Sequence, residues 1–185
     1  MNMHFDLIAI GGGSGGLAVA ETAAQYGKRV AIIESRRLGG TCVNNGCVPK
    51  KIMWYAANLA HAVDDAADFG ISATRGTTDW KKLVAGREAY IGRINQYWDG
   101  YVVDSGIVRI DGTARFIDAG TVEVQGQRYT ADHIVIATGG RPIVPPLPGA
   151  ELGITSDGFL QLTAQPRSVA IIGAGYIGVE FAGVL

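Results

Sequence analysis

The hydrophobic pattern near the start of the chain predicts a complete βαβ unit. Residues 5–10 are mostly apolar, as in a buried strand, and residues 17–26 form an alanine-rich segment of helical character. Gly27 ends this helix, and residues 29–33 form a second apolar run that Glu34 closes. A strand, a helix and a second strand in this order form the repeating unit of a parallel sheet.

The middle of the chain predicts two long helices followed by short strands. Residues 50–69 and 80–103 carry apolar positions at helical spacing. The stripe in the second helix, which we expect to pack in the core, comprises Trp80, Leu83, Ile91, Ile94, Trp98 and Tyr101. From Val108 the period is two residues with glycines at the turns, which predicts an antiparallel β-meander. Residues 133–140 predict a buried strand that returns to the main sheet.

A glycine-rich turn joins the first strand to its helix. Gly11, Gly13 and Gly16 have the spacing G-x-G-x-x-G, and Glu34 stands 23 residues after Gly11. Glycines in this context permit a tight turn, the approach of a pyrophosphate, and close packing of helix on strand. The Glu34 carboxylate would bind a ribose diol and repel a 2′-phosphate. The turn therefore predicts a site for the adenosine half of FAD or NAD; a glycine-rich turn without a ligand is the alternative.

The far end of the chain repeats this pattern. Residues 141–149 contain four of the six prolines and predict a stiff connection. Residues 168–172 predict a strand, and three glycines with the first motif's spacing follow it. We expect residues 1–149 to be the first segment of an FAD-binding domain, and residues 150–185 to be a linker and the truncated start of an NAD(P)H-binding domain.

Composition and charge exclude several classes of function. The 185 residues are 48% hydrophobic and 18% charged with a formal net charge of −1, which is typical of soluble globular proteins. This balance gives no electrostatic reason to expect nucleic acid or an anionic membrane as a partner. No run approaches the roughly 18 apolar residues of a membrane span, and no charged, cleavable leader precedes the first strand. We therefore expect a cytoplasmic protein.

The chain has two cysteines, Cys42 and Cys47. Their spacing matches no common zinc pattern and the three histidines are scattered, so we expect no metal site. A static disulfide and a pair of unrelated buried thiols are the alternatives to redox chemistry, and a reducing cytosol and a small loop disfavour the first. A helix start and the cations Lys50 and Lys51 follow the pair and would stabilise a thiolate. We predict a redox-active disulfide.

Several segments resemble the pyridine nucleotide-disulfide oxidoreductases, and among them the glutathione reductases. LGGTCVNNGCVPKKIMW resembles the active-site segment of glutathione reductases, and GGGSGGLA, GTARF, ADHIVIATGGRP and GAGYIGVE agree with the family in order and approximate spacing. The resemblance covers essentially the whole chain. It implies an α/β fold: a Rossmann-like FAD-binding domain, with a parallel sheet, helices and an antiparallel β-meander, and the first strand and helix of a second nucleotide-binding domain.

The resemblance also implies roles for individual residues. Electrons would pass from NADPH through FAD to the disulfide and then to glutathione disulfide. Cys42 would attack the substrate, whereas Cys47 would face the flavin and resolve the mixed disulfide. Lys50 would lie near the flavin and pair with Glu180, and Tyr176 would cover the nicotinamide pocket.

The implied cofactor contacts fall into two sets. The FAD contacts are Gly11, Gly13, Ser14, Gly15, Gly16, Glu34, Gly40, Thr41, Cys42, Cys47, Lys50, Ala114, Thr138 and Gly139. The NADPH contacts are Gly173, Gly175, Tyr176, Ile177 and Glu180. Three positions depart from the family: Asn45 stands at a position that is more often hydrophobic, Glu21 stands where an arginine meets a glutathione carboxylate, and Trp98 stands in place of a tyrosine. Glu21 would repel anionic glutathione disulfide unless it lies on a solvated helix face.

Two classes of function are therefore compatible with the sequence. The first is NADPH-dependent reduction of glutathione disulfide by a homodimeric parent protein, of which this chain alone would have no turnover. Disulfides of the lipoamide, trypanothione or thioredoxin type are the alternative substrates. The second class is a flavin-binding module with a non-catalytic thiol switch.

Overall fold

A computed structural model describes residues 3–185, which divide into two units. The first unit contains the described residues up to Asn44 together with Gly92–Arg141, and the second contains Asn45–Ile91 and Pro142–Leu185. The first two residues of the predicted FAD-binding domain lie outside the described residues.

The first unit is built around a six-stranded sheet. Its strands are β1 (Met3–Ile10), β2 (Val30–Glu34), β3 (Val108–Asp111), β4 (Arg115–Asp118), β5 (Thr121–Val124) and β6 (Gln127–Ile136). Their order across the sheet is β3-β2-β1-β6-β5-β4. The pairs β1–β2, β1–β6 and β2–β3 are parallel, whereas β4–β5 and β5–β6 are antiparallel. This mixed sheet with helices confirms the predicted α/β class.

Three of the six α-helices within residues 3–185 correspond to the long periodic segments of the sequence. The six are α1 (Ser14–Gln25), α2 (Gly40–Asn45), α3 (Cys47–Asp65), α4 (Trp80–Asp104), α5 (Ser156–Leu160) and α6 (Tyr176–Ala182), with short 3₁₀ helices at Ala66–Phe69 and Ala150–Leu152. The helices predicted over residues 17–26, 50–69 and 80–103 are confirmed, although the first two begin three residues earlier than predicted. No helix within residues 3–185 combines the length and the apolar character needed to cross a membrane.

The sheet buries side chains on both of its faces. Ile8 and Ile10 of β1 lie in one core cluster, whereas Ala9 between them lies in another, as the alternation of side chains along a strand requires. Leu17 of α1 and Val102 of α4 belong to the same cluster as Ala9, so these two helices cover that face. Burial on both faces explains why β1 and β2 are nearly continuous apolar runs.

Two strands differ from the sequence prediction. β3 is not part of the meander but pairs in parallel with β2, because α4 lies between them in the chain and supplies the crossover connection that a parallel pair needs. The strand predicted over residues 133–140 is the second part of β6 and ends at Ile136. The prediction that it is buried is wrong, since Ile136 is 67% exposed. β5 reaches only as far as Thr130, so within the described chain no strand covers the outer edge of residues 133–136.

The second unit has its own small core. Phe159 of α5 and Phe181 of α6 stack with their ring centroids 4.1 Å apart, and Met53 of α3 lies in the same cluster. The buried side chain of Arg87 donates to the Leu160 carbonyl at 2.7 Å. This bond satisfies a guanidinium that would otherwise be costly to bury.

The strand predicted over residues 168–172 does not form in the described structure, and this prediction is wrong. Ile172 is 80% exposed. A strand depends on hydrogen bonds to a neighbour, and within residues 3–185 no strand pairs with this segment. The helix predicted after it does form as α6.

The close packing of α1 on β1 gives a test of the fold. A Cβ on Gly16 would lie 1.7 Å from the Gly11 carbonyl oxygen, whereas a Cβ on Gly100 of α4 would have no atom within 4 Å. We expect Gly16→Ala to lower the free energy of unfolding by about 3 kcal/mol. Gly100→Ala should raise it by about 0.5–1 kcal/mol, because alanine is the better helix former. Urea unfolding of both variants measures the difference, and equal stability of the two would contradict this packing.

Candidate functional site

The turn between β1 and α1 has a backbone that only glycine accommodates. Gly11 has a φ of +109°, and its N–H donates to the Ile33 carbonyl at 2.8 Å. A Cβ on Gly11 would lie 2.2 Å from the Ala137 carbonyl oxygen. The turn is thus clamped between the ends of β2 and β6, and any side chain at Gly11 would displace one of them.

Glu34 lies beside this turn at the end of β2. Its Oε2 accepts a hydrogen bond from the Gly12 N–H at 2.7 Å, and its Oε1 accepts one from the Arg36 N–H at 2.8 Å. A carboxylate offers about four acceptor positions, so it can still bind a ribose diol. The sequence indicated the ligand-binding role of Glu34 but not its role in holding the turn.

The start of α1 is suited to an anion. Gly13 precedes the helix and has no side chain to cap the N–H groups of the first turn. These groups and the helix dipole attract phosphate. A Cβ on Gly15 would have its nearest neighbour at 3.9 Å, so the turn is open at this point. Together with Glu34, these features fit the pyrophosphate and ribose of FAD.

Three further residues of the predicted FAD set lie on or after the strands of the sheet and not on the turn itself. The Cα atom of Thr138 lies 3.3 Å from the position of a Cβ on Gly11, which places Thr138 at the glycine turn. Gly139 follows it with a φ of +71°. Ala114 packs at the edge of the core beneath the meander.

The segment that carries Cys42 packs directly on the glycine turn. The Gly39 N–H donates to the Gly12 carbonyl at 2.8 Å. A Cβ on Gly40 would lie 2.6 Å from the Gly13 Cα atom, so the two backbones approach as closely as glycine allows. Cys42 follows in α2 and is half-buried, while Thr41 beside it is exposed. The predicted dinucleotide turn and the predicted redox thiol are therefore parts of one structure.

A pair of asparagines, which the sequence analysis missed, holds α2. The Asn44 amide donates to the carbonyls of Leu38 and Gly40, and the amide of Asn95 on α4 donates to the Leu38 carbonyl and to Asn44 Oδ1. The only signal in the sequence is the position of Asn95, which falls four residues after Ile91 on the apolar stripe of α4. A polar residue on such a stripe needs partners.

Cys47 belongs to the second unit and is exposed. It is the first residue of α3, three residues before the predicted helix start. One turn later, Lys50 Nζ forms an ion pair with Glu180 Oε2, the pair that the resemblance implies. Lys51 lies over the Trp54 ring instead, 4.7 Å from its centroid.

The second glycine motif repeats the backbone of the first. Gly173 has a φ of +112°, and a Cβ on Gly178 would lie 2.5 Å from the Gly173 carbonyl oxygen. Gly175 precedes α6 as Gly13 precedes α1. Tyr176 and Ile177 begin α6 and are 76% and 40% exposed. The backbone geometry of this motif therefore matches that of the first.

A cavity of about 200 Å³ lies in the first unit between α1, α2 and α4. Its lining includes Glu21, Trp98 and Val43, the residue after Cys42. The Tyr101 hydroxyl donates to Glu21 Oε1 at 2.5 Å, and this bond, together with burial, raises the pKa of Tyr101 above its usual value. Glu21 therefore lines a cavity beside α2 and does not lie on a simple solvated helix face.

Comparison with known proteins agrees with this arrangement. The family model "Pyridine nucleotide-disulphide oxidoreductase" matches residues 5–185. The chain is 45% identical over 185 residues to the glutathione reductase of Nostoc sp. (strain PCC 7120 / SAG 25.82 / UTEX 2576), in an alignment that covers 100% of this chain and 40% of the relative. The chain thus spans about two fifths of the length of that curated relative. A family match over almost every residue means that the chain belongs to the pyridine nucleotide-disulphide oxidoreductase family.

Proposed function

We propose that the protein containing this chain is an FAD-dependent disulfide reductase that transfers electrons from NADPH through Cys42 and Cys47 to glutathione disulfide. The observation that carries the proposal is the packing of Gly39 and Gly40 on the glycine turn, which joins the segment of Cys42 to a dinucleotide site. The glutathione reductase from Nostoc, 45% identical to this chain, supports the choice of substrate.

The residues of the first unit would hold the cofactor. When FAD is bound, it supplies the two-electron chemistry that links a nicotinamide nucleotide to a disulfide. The Glu34 carboxylate would accept hydrogen bonds from the ribose, and the first N–H groups of α1 would bind the pyrophosphate. The ion pair with Glu180 orients the Lys50 ammonium group, and Cys47 lies one turn before Lys50 at the start of α3.

The reduced cysteines would then act by thiol–disulfide exchange. The Cys42 thiolate attacks one sulfur of glutathione disulfide, which breaks the substrate S–S bond, forms a mixed disulfide and releases one glutathione thiolate that takes a proton. The Cys47 thiolate attacks the sulfur of Cys42, re-forms the protein disulfide and releases the second glutathione. The two electrons of the protein dithiol thus end on two glutathione molecules.

The proposal extends to the domain organisation, cellular location and oligomeric state of the protein. Residues 1–149 form the first segment of the FAD-binding domain, and residues 150–185 form the linker and the start of the NAD(P)H-binding domain, which the geometry of Gly173 and Gly178 supports. The protein acts in the cytoplasm, where a reducing environment suits a cycling disulfide. It acts as a homodimer, as the resemblance implies, without nucleic acid or membrane as a partner.

Substitution of the cysteines tests the reaction. In the full-length protein loaded with FAD, we expect oxidation of NADPH that depends on glutathione disulfide. Cys42→Ser and Cys47→Ser should each lower kcat at least about 100-fold, because each removes one of the two sulfurs. Reduction of the bound flavin by NADPH should persist in both variants and serves as the control for folding. Turnover that survives both substitutions would contradict the proposal. Steady turnover by residues 1–185 alone would contradict only the separate expectation that this chain has no turnover by itself.

Substitution of Glu34 tests the cofactor site. Glu34→Gln keeps the shape of the side chain but removes its charge and one acceptor. We expect FAD to bind about tenfold more weakly, since a hydrogen bond to a charged group contributes about 1.5 kcal/mol. Titration of flavin fluorescence measures the affinity, and the exposed Glu151→Gln is the matched control. Unchanged affinity in Glu34→Gln would place the adenosine half elsewhere.

One observation favours a different disulfide as the substrate. Glu21 lines the cavity beside α2, and its carboxylate would repel anionic glutathione disulfide but not the neutral lipoamide. We expect Glu21→Gln to raise kcat/KM for glutathione disulfide about threefold at low salt, mainly through KM, and to leave lipoamide unaffected. The exposed Asp132→Asn is the control. A higher kcat/KM for lipoamide than for glutathione disulfide in the unsubstituted protein would identify the lipoamide type as the substrate.

A further inference from the structure

The helix that carries Cys42 is too short to be stable without contacts to the rest of the first unit. α2 has only six residues, and a helix this short is unstable alone because its few hydrogen bonds do not repay the cost of nucleation. The Gly39 N–H fixes the residue before α2 to the Gly12 carbonyl. The side chains of two asparagines, Asn44 and Asn95, donate hydrogen bonds to the backbone at its start.

These asparagines form a continuous bridge from α4 to the start of α2. Asn95 Nδ2 donates to the Leu38 carbonyl at 2.9 Å and to Asn44 Oδ1 at 3.1 Å. Asn44 Nδ2 donates to the same Leu38 carbonyl at 3.1 Å and to the Gly40 carbonyl at 3.0 Å. Leu38 is fully buried in the core, so the bridge anchors α2 to a rigid part of the unit.

The need to fill the core does not explain why residue 95 is an asparagine. The residue is only 8% exposed, and its Oδ1 accepts no hydrogen bond from any group within residues 3–185. A buried acceptor without a partner is unfavourable, and a leucine of similar size would avoid that cost. An amide at this position donates two hydrogen bonds from Nδ2 toward α2, to Leu38 and to Asn44. An apolar side chain could donate neither of them.

We propose that Asn95 is a positioning residue for the thiol of Cys42: through Asn44 it keeps α2 in place while the bond between Cys42 and Cys47 is open. The inference rests on the proposed function, in which this disulfide opens and closes in every cycle. Opening removes a covalent restraint on α2, but the amide bridge remains. Cys42 therefore keeps a high effective concentration toward Cys47, and the disulfide re-forms readily.

The stability of the disulfide relative to the dithiol measures this effect. Protein dithiol and oxidised dithiothreitol exchange to protein disulfide and reduced dithiothreitol, so one S–S bond forms, one breaks and two electrons move. The full-length protein is equilibrated without NADPH in dithiothreitol mixtures, alkylated, and analysed by mass spectrometry. We expect Asn95→Leu to lower the equilibrium constant for disulfide formation about tenfold. Asn95→Asp, which keeps the shape but cannot donate, should lower it in the same direction and serves if the leucine variant does not fold.

Two controls separate positioning from general stability. Gln96→Leu changes the exposed neighbour on α4 and should leave the constant unchanged. Val122→Ala opens the buried core at β5 and should lower the melting temperature without changing the constant. An Asn95 variant that loses thermal stability but keeps the unsubstituted equilibrium constant would overturn the proposal. If the unsubstituted protein forms no disulfide at any dithiothreitol ratio, the proposed function itself is wrong, and with it this role of Asn95.

Discussion

Backbone atoms in this protein approach each other where side chains would normally keep them apart. At Gly11, Gly16 and Gly40 a single Cβ would fall within 2.6 Å of another backbone atom. Real Cβ atoms do not come so close, so each position needs glycine whatever the ligand. The three contacts join β1 to α1, the turn to the end of β6, and the segment of Cys42 to the turn. The rest of the site depends on them, because Glu34 bonds to this turn through the Gly12 N–H and the segment before Cys42 packs on the turn through Gly39 and Gly40.

The same contacts arrange charge for the chemistry. Gly13 leaves the first N–H groups of α1 without a side-chain cap, and Glu34 lies beside them with both oxygens fixed by the backbone. The positive end of α1 attracts phosphate, and the neighbouring Glu34 carboxylate accepts hydrogen bonds from a neutral diol. The pair therefore suits a ligand that carries a phosphate and a diol close together.

The hydrophobic and glycine patterns of the sequence predicted those elements that depend mainly on neighbouring residues in the chain. β1, α1 and β2 follow from apolar runs and a helical period, and the turn between them follows from glycine spacing. Pairing is not local. A period of two residues does not say whether the strand after Val108 pairs with its successor or with β2, and no pattern says whether residues 168–172 have a neighbour at all. Asn95 is missed for the same reason, since its partner Asn44 is 51 residues away in the chain.

The two glycine motifs carry almost the same backbone, and this limits what glycine spacing can reveal about function. Gly11 and Gly173 have φ values of +109° and +112°, and both motifs bring a later glycine against the carbonyl of the first. Backbone geometry of this kind binds a pyrophosphate and is blind to the rest of the nucleotide. Discrimination needs a side chain at the ribose, and Glu34 is the residue that we propose for this role in the first motif. A carboxylate there would accept a free 2′-hydroxyl and repel a 2′-phosphate, so the first motif would suit FAD and disfavour NADPH. The proposed function therefore assigns NADPH to the second motif, where a side chain near the ribose would have to select it.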